Sequence, residues 1–293
     1  MLDDVADSVR RLRLLTGLDP DYAAARHRVD TGQWHRICRG VVLMAATPEW
    51  LDRAVGLALG LDGTLCFATA ARIWGLEIPT WAEHIELASP SRAARKATTP
   101  GVRMHQMDIP DEDVQELHGL RITSVVRTVV DCARTFPPTA AVVVIESAVR
   151  HGLATLGEIA EAIGRLRRVR GAVRARKALE RVDLRSESGL ETEARLLLTD
   201  AGLPPSTLQL RLVRNGAEIR LDLAYEAHLV GVEIDGMAAH SGRVRFQSDR
   251  RRSNAIVASG DGWRILHFTA HDIRRDPGYV VATVRAALAA QAA

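Results

Sequence analysis

Ile219-Arg220-Leu221-Asp222-Leu223-Ala224-Tyr225 and Leu229-Val230-Gly231-Val232-Glu233-Ile234-Asp235-Gly236 read as two neighbouring strands of a buried sheet, yet they carry three acids. Side chains alternate faces along a strand. Val230, Val232 and Ile234 therefore share one face, and Glu233 and Asp235 share the other. Asp222 interrupts the apolar Leu221 and Leu223 of the first strand. If the strands pair, the three carboxylates converge. Like charges brought together are costly and call for a proton or a metal ion. An oxygen-only set suits Mg²⁺ (or Mn²⁺). The competing reading is a set of exposed edge-strand charges, with Arg220 paired to Asp222.

The flanking sequence supplies the rest of a domain, 184–293. Ser188-Gly189-Leu190-Glu191 starts a helix that runs to Asp200, with Ser188 and Glu191 at capping-box spacing. Gly202 and Pro204-Pro205 end it. A strand over 207–213 comes next, then the hairpin signal Asn215-Gly216, the Asp222 strand, a turn near Ala227-His228 and the Glu233 strand. The pattern continues with a helix over 247–259, a strand over 263–268 and a helix over 279–290. The order is α-β-β-β-α-β-α. Lys occurs only at Lys96 and Lys177, and from Gly236 onward nine Arg face four Asp. Arg suits bidentate phosphate contact, and Arg250 and Arg252 stand on the expected 247–259 helix.

Towards the N-terminus the chain divides into 1–48 and 49–183. Helices over 6–15 and 22–29 and an alternating hairpin over 34–43 give the order of a winged helix, with Arg26, Arg28 and Arg36 on the second helix and the wing. The segment 49–183 reads as an α+β scaffold. Its strands are expected at 84–88 and 102–105. A helix capped by Thr123 or Ser124 carries Arg127 and Asp131 four residues apart. The scaffold ends in a run of arginines from Arg165 to Arg181. The whole chain is thus α/β in its last domain and α+β overall.

Its 293 residues, 47% hydrophobic, are ample for more than one core. No apolar run approaches the ~20 residues that span a bilayer, and Met1-Leu2-Asp3-Asp4 lacks the features of a signal peptide. Cys38, Cys66 and Cys132 are scattered and odd in number, which points to a reducing cytoplasm rather than to disulfides or structural zinc.

The order of elements, with Asp222 on one strand and Glu233-x-Asp235 on the next, resembles the PD-(D/E)xK nuclease superfamily, and within it the very-short-patch-repair-type endonuclease domains. The residues that carry the resemblance are Ser188 to Glu191, Ala201-Gly202-Leu203-Pro204, Leu221 to Ala224, Val232 to Gly236, His240, Asp249-Arg250-Arg251-Arg252 and Gly262-Trp263-Arg264. They span roughly 186–290. The first half resembles AbiEi-type antitoxins, through Trp34 to Leu43 and Thr123-Ser124-x-x-Arg127-Thr128. Two features depart from the nuclease pattern. Asp235 stands where that superfamily has its lysine, and the last domain has no cysteine for a repair-type zinc site.

The resemblance implies Mg²⁺-dependent hydrolysis of DNA in a cytoplasmic protein. Asp222 and Glu233 would hold the metal, and Asp235 would add a ligand or orient water. Glu191 would reach the ion through water, His240 would act as general base in place of lysine, and Arg250 and Arg252 would touch phosphate. The alternative it implies is an antitoxin or transcriptional regulator, with a partner toxin and an inactive nuclease-like domain.

Overall fold

The computed structural model describes residues 2–16, 18–78, 84–90, 100–214, 217–235 and 262–291. The fold is α+β, and the chain divides into two compact units, Met1–Arg181 and Val182–Ala293. Among the described residues no helix is long and apolar enough to cross a membrane.

The first unit begins with α1 (Leu2–Arg11), β1 (Leu12–Leu14), α2 (Tyr22–Asp30), β2 (His35–Cys38) and β3 (Val41–Leu43). The helix expected over 6–15 stops at Arg11. Leu12, Arg13 and Leu14 instead pair antiparallel with Leu43, Val42 and Val41, which gives a three-stranded sheet of order β1-β3-β2. The hairpin expected over 34–43 is present, turned at Gly40. This segment shares its core with the residues after it. Val5 packs in one cluster with Ala54, Val55, Leu57, Leu65, Leu87 and Ile122, and Arg11 reaches the buried Asp52 carboxylate at 2.8 Å. Residues 1–48 therefore lie in the same compact unit as their successors up to Arg181.

After α3 (Trp50–Leu61) come β4 (Thr64–Leu65), α4 (Phe67–Ile73), β5 (Ile85–Ser89), β6 (Val102–Gln106), β7 (Val114–Leu117) and β8 (Leu120–Thr123). They make a five-stranded mixed sheet of order β6-β5-β4-β8-β7. Four helices complete the unit: α5 (Val125–Thr135), α6 (Pro138–Arg150), α7 (Leu156–Gly164) and α8 (Ala172–Leu179). Ser124 caps α5 by accepting from the Arg127 amide at 3.3 Å. The arginine run does more than solvate a surface. Arg174 donates to the carbonyls of Thr135 and Phe136, and Arg176 to that of Leu166, at helix ends where carbonyls lack intrahelical partners. Gly171, with φ +86°, enters α8 so close to the end of α5 that an added Cβ would lie 2.1 Å from the Arg134 oxygen. Only glycine meets both conditions.

The second unit contains α9 (Gly189–Asp200), β9 (Thr207–Arg214), β10 (Ala217–Tyr225), β11 (Val230–Asp235), β12 (Arg264–Thr269), α10 (Ala270–Arg275) and α11 (Pro277–Gln291). The sheet order is β12-β11-β10-β9, antiparallel except for the parallel pair β11 and β12. The expected 247–259 helix and the Asn215-Gly216 turn lie outside the described residues. One face of the sheet buries Leu208, Leu223, Val230, Val232 and Phe268 against Leu190, Ala194, Leu198, Ile273, Val280 and Val284 of the helices. Each of the larger side chains among them contributes about 1.5–3 kcal/mol of burial. The other face carries a smaller cluster of Leu221, Ala224 and Trp263 with Leu210, Leu229 and Ile265. Gly231 lies under it, where a Cβ would come within 2.8 Å of Leu221 and Ile265 methyls.

Leu221 and Leu223 thus fall in different clusters, although simple alternation puts them on one face. The irregularity centres on Asp222. The β9–β10 register runs Leu221↔Leu210 and Leu223↔Leu208, and Asp222 and Gln209 between them form no ladder pair. Gln209 has φ +53°, an uncommon conformation for a residue other than glycine.

Candidate functional site

The site grows from this break in the ladder. Pairing between β10 and β11 stops at Leu223↔Val232. The next inward-facing amide, Ile234 N–H, has lost its strand partner, and it donates to Asp222 Oδ2 at 2.7 Å. The other carboxylate oxygen of Asp222 accepts from Gln209 Nε2 at 3.4 Å, and the same Nε2 donates to Glu191 Oε2 at 2.9 Å. One amide group therefore bridges two carboxylates. Gln209 Oε1 is buried and accepts no hydrogen bond among the described residues. A residue in a sparsely populated backbone region, aimed at two acids, is the kind of strain that collects at functional sites.

Glu191 is also held from its own helix. Ser188 accepts from the Glu191 amide at 3.2 Å and donates its hydroxyl to Oε1 at 2.9 Å. Glu191 Oε2 accepts from the Glu187 amide at 2.8 Å, one residue earlier than a capping box places it. Capping and site geometry thus use the same carboxylate. Arg220, a candidate partner for Asp222, instead grips Glu187 with two hydrogen bonds of 2.8 and 2.7 Å.

Burial dominates the electrostatics of these two acids. Burial pushes the Glu191 carboxyl above the usual carboxylate range; the Glu187 amide opposes that and the Asp222 charge reinforces it. Burial likewise raises Asp222, against the pull of the Ile234 amide. Groups raised in the folded chain hold their protons more tightly than in the unfolded chain. Their contribution to stability is present in full below the unfolded value and is lost as pH rises through the folded one. We therefore expect the metal-free protein to gain stability relative to the Glu191→Gln/Asp222→Asn double variant as pH falls from about 7 to about 4. Urea melts of both proteins in the presence of a chelator measure the difference. A loss of stability relative to the double variant on acidification would contradict this assignment.

Asp222, Glu233 and Asp235 do not close on one point. Among the described residues no three His, Cys, Asp or Glu side chains lie together tightly enough to share an ion. The divergence of β10 from β11 is the cause. Glu233 is opposite His267 in the parallel register, with Oε2 3.8 Å from Nδ1. Asp235 is exposed at the end of β11, opposite Thr269. Asp222 joins Glu191 instead. His240, Arg250 and Arg252 lie outside the described residues. In the first unit, Arg26 and Arg28 are on α2 and Arg36 is on β2, all exposed. Arg26 pairs with Asp30 at 3.7 Å, and the Arg28 guanidinium stacks 4.8 Å from the centre of the Trp34 ring.

The donor set fits a hard cation. Mg²⁺ is often held by only one or two carboxylates, completed by water and substrate phosphate. Glu191, Asp222 and the unsatisfied Gln209 oxygen are all oxygen donors, and burial raises the proton affinity of the two acids. Sequence reasoning passes over Gln209 and His267. Gln209 has a signal: it is a polar residue between Leu208 and Leu210, in register with Asp222.

Two proteins of Mycobacterium tuberculosis, uncharacterized protein MT2308 and uncharacterized protein Rv2248, are each 30% identical to this chain over 260 residues, covering 88% of it and 93% of their own length. No family model matches the chain. No solved structure matches it.

Proposed function

The chain belongs to the same family as these two mycobacterial proteins, and from its own carboxylate site we propose that it is a Mg²⁺- or Mn²⁺-dependent DNA endonuclease whose N-terminal segment serves as a DNA-binding or regulatory module. The observation that carries this reading is the half-buried pair Glu191 and Asp222, bridged by Gln209 where β10 and β11 part. Two such acids with raised proton affinity are a site poised for a cation.

In this reading Asp222 would help hold the ion, with its Oδ2 fixed by the Ile234 N–H. Glu191 would help hold it. Gln209 orients both carboxylates. The bound ion would lower the pKa of a water and offset charge on the scissile phosphate. Glu233, on the neighbouring strand with His267 3.8 Å away, would help orient water. Asp235 and His240 are further candidates for water orientation and proton transfer, and Arg250 and Arg252 for phosphate contact.

The test is cleavage of single-stranded, duplex and mismatched DNA by the purified chain with Mg²⁺ or Mn²⁺, against a chelator control. A folded protein that cuts none of them overturns the reading. One sequence feature favours a second reading, an AbiEi-like antitoxin or regulator: no lysine follows Lys177, and Asp235 stands in the lysine position. That alternative is distinguished by tight, salt-sensitive binding to one operator without cleavage.

A further inference from the structure

The first unit contains a cavity of about 390 Å³ between α5 and the loop that follows α7. We propose that it binds a small phosphorylated molecule, with the phosphate held by the Arg127 and Arg134 guanidiniums. This site is independent of the carboxylate site and does not rest on nuclease activity.

The two guanidiniums are built into place. Arg127, Asp131 and Arg134 fall on one face of α5 at helical spacing. Asp131 is only 1% exposed, and each of its oxygens takes one arginine Nε at 2.8 Å. Arg127 Nη1 is tied to Asp113 at 2.9 Å, and Arg134 Nη1 to the Arg170 carbonyl at 3.3 Å. In both, the Nη2 group donates to nothing among the described residues. A buried carboxylate thus fixes two planar forks by their Nε edges and leaves one donor group of each uncommitted. Fixed guanidinium donors match the oxygens of a phosphate.

Charge and shape agree with such a ligand. Four arginines line the cavity, the other two being Arg165 and Arg167, against Asp113 and Asp131. Arg165 is paired outward with Glu161 at 2.8 Å. Arg167 makes no ion pair among the described residues, and its charge is left for a ligand. The lining also includes Val126, Val130 and Leu166, which suits an apolar or planar group attached to the phosphate. The volume is in the range of small-ligand sites.

Isothermal titration of the full chain, in low salt with a chelator present, tests the proposal. Three probes are used: inorganic phosphate, adenosine monophosphate and a short DNA duplex. The mononucleotide is expected to bind with a Kd of about 0.1 mM, and phosphate more weakly. Arg167→Gln, a substitution on an exposed loop, should weaken the mononucleotide about tenfold, and Arg134→Lys at least as much if circular dichroism shows it folded. Asp222→Ala should bind as the parent does. Absence of saturable heat from both small probes up to about 10 mM overturns the proposal. So does unchanged binding in Arg167→Gln. Binding of duplex DNA alone overturns it too, since the arginines would then follow a strand rather than a small molecule.

Discussion

Asp222→Ala is expected to lower metal-dependent DNA cleavage by about 10³-fold or more. A metal ion supplies several kcal/mol of transition-state stabilisation, and every 1.36 kcal/mol is tenfold in rate. Asp222 has the largest share of the work at the break between β10 and β11. One oxygen holds the Ile234 amide and the other is left for Gln209 and an ion. Alanine removes the ligand and also strands a backbone donor, so loss of activity alone would be ambiguous. Asp222→Asn separates the two effects. Its side-chain oxygen can still accept from Ile234, while the charge is gone. We expect Asp222→Asn to fold with little change and to be as inactive as Asp222→Ala, with Glu233→Ala also inactive. The measurement is the nicking rate of supercoiled plasmid in Mg²⁺, with calorimetric Mn²⁺ binding as the second readout. Full activity in Asp222→Asn would remove this residue from the site.

The largest expected effect on stability is at Asp131. Asp131→Ala should destabilise the first unit by about 3–5 kcal/mol, the cost of removing one partner from a buried ion pair. The magnitude reflects the charges left behind. Arg127 and Arg134 are mostly buried, with side chains 17% and 14% exposed; Arg134 loses its carboxylate partner and Arg127 keeps only Asp113. Against a total of ~5–15 kcal/mol for a typical domain, this loss would shift the urea midpoint strongly. Asp131→Asn should cost less, since its amide oxygen still accepts one Nε. A midpoint for Asp131→Ala close to that of the parent would show that water reaches these guanidiniums in the folded chain.

Local signals in the sequence anticipate much of this structure, and non-local ones do not. Ser188 at the start of α9, the apolar runs of β9, β10 and β11, and the Ser124 cap of α5 all follow from nearest-neighbour chemistry. Leu12-Arg13-Leu14 continues the helical pattern before it, and only its partner strand Val41–Leu43 draws it out of the helix. The short helix α10 escapes the sequence reading, although Thr269 and Asp272 make a reciprocal capping box that marks its start. At the site, the acids at 222 and 233 are legible, but their convergence rests on ideal alternation. Alternation fails at Asp222, because the left-handed Gln209 on the adjacent strand breaks the ladder there. The true neighbour of Asp222, Glu191, comes from a helix, and the true neighbour of Glu233, His267, comes from a strand far along the chain. Nothing in a single strand's periodicity encodes either.

The parallel pairing of β11 with β12 also fixes the order in which the second unit can assemble. Val230 pairs with Arg264 across a long interval of chain, whereas Arg214 and Ala217 pair across two residues. Closing a longer loop costs more entropy before any contact repays it, and such pairings slow folding. The β9–β10 hairpin, with Gln209 and Asp222, should therefore form early. The β12 edge, which carries His267 to Glu233, should form last. Pulsed hydrogen exchange during refolding would then protect Leu210 and Leu221 amides before those of Leu266 and Phe268. A chain caught before that final docking could hold Glu191, Gln209 and Asp222 in place while His267 was still absent from beside Glu233, so the two halves of the site would mature at different times.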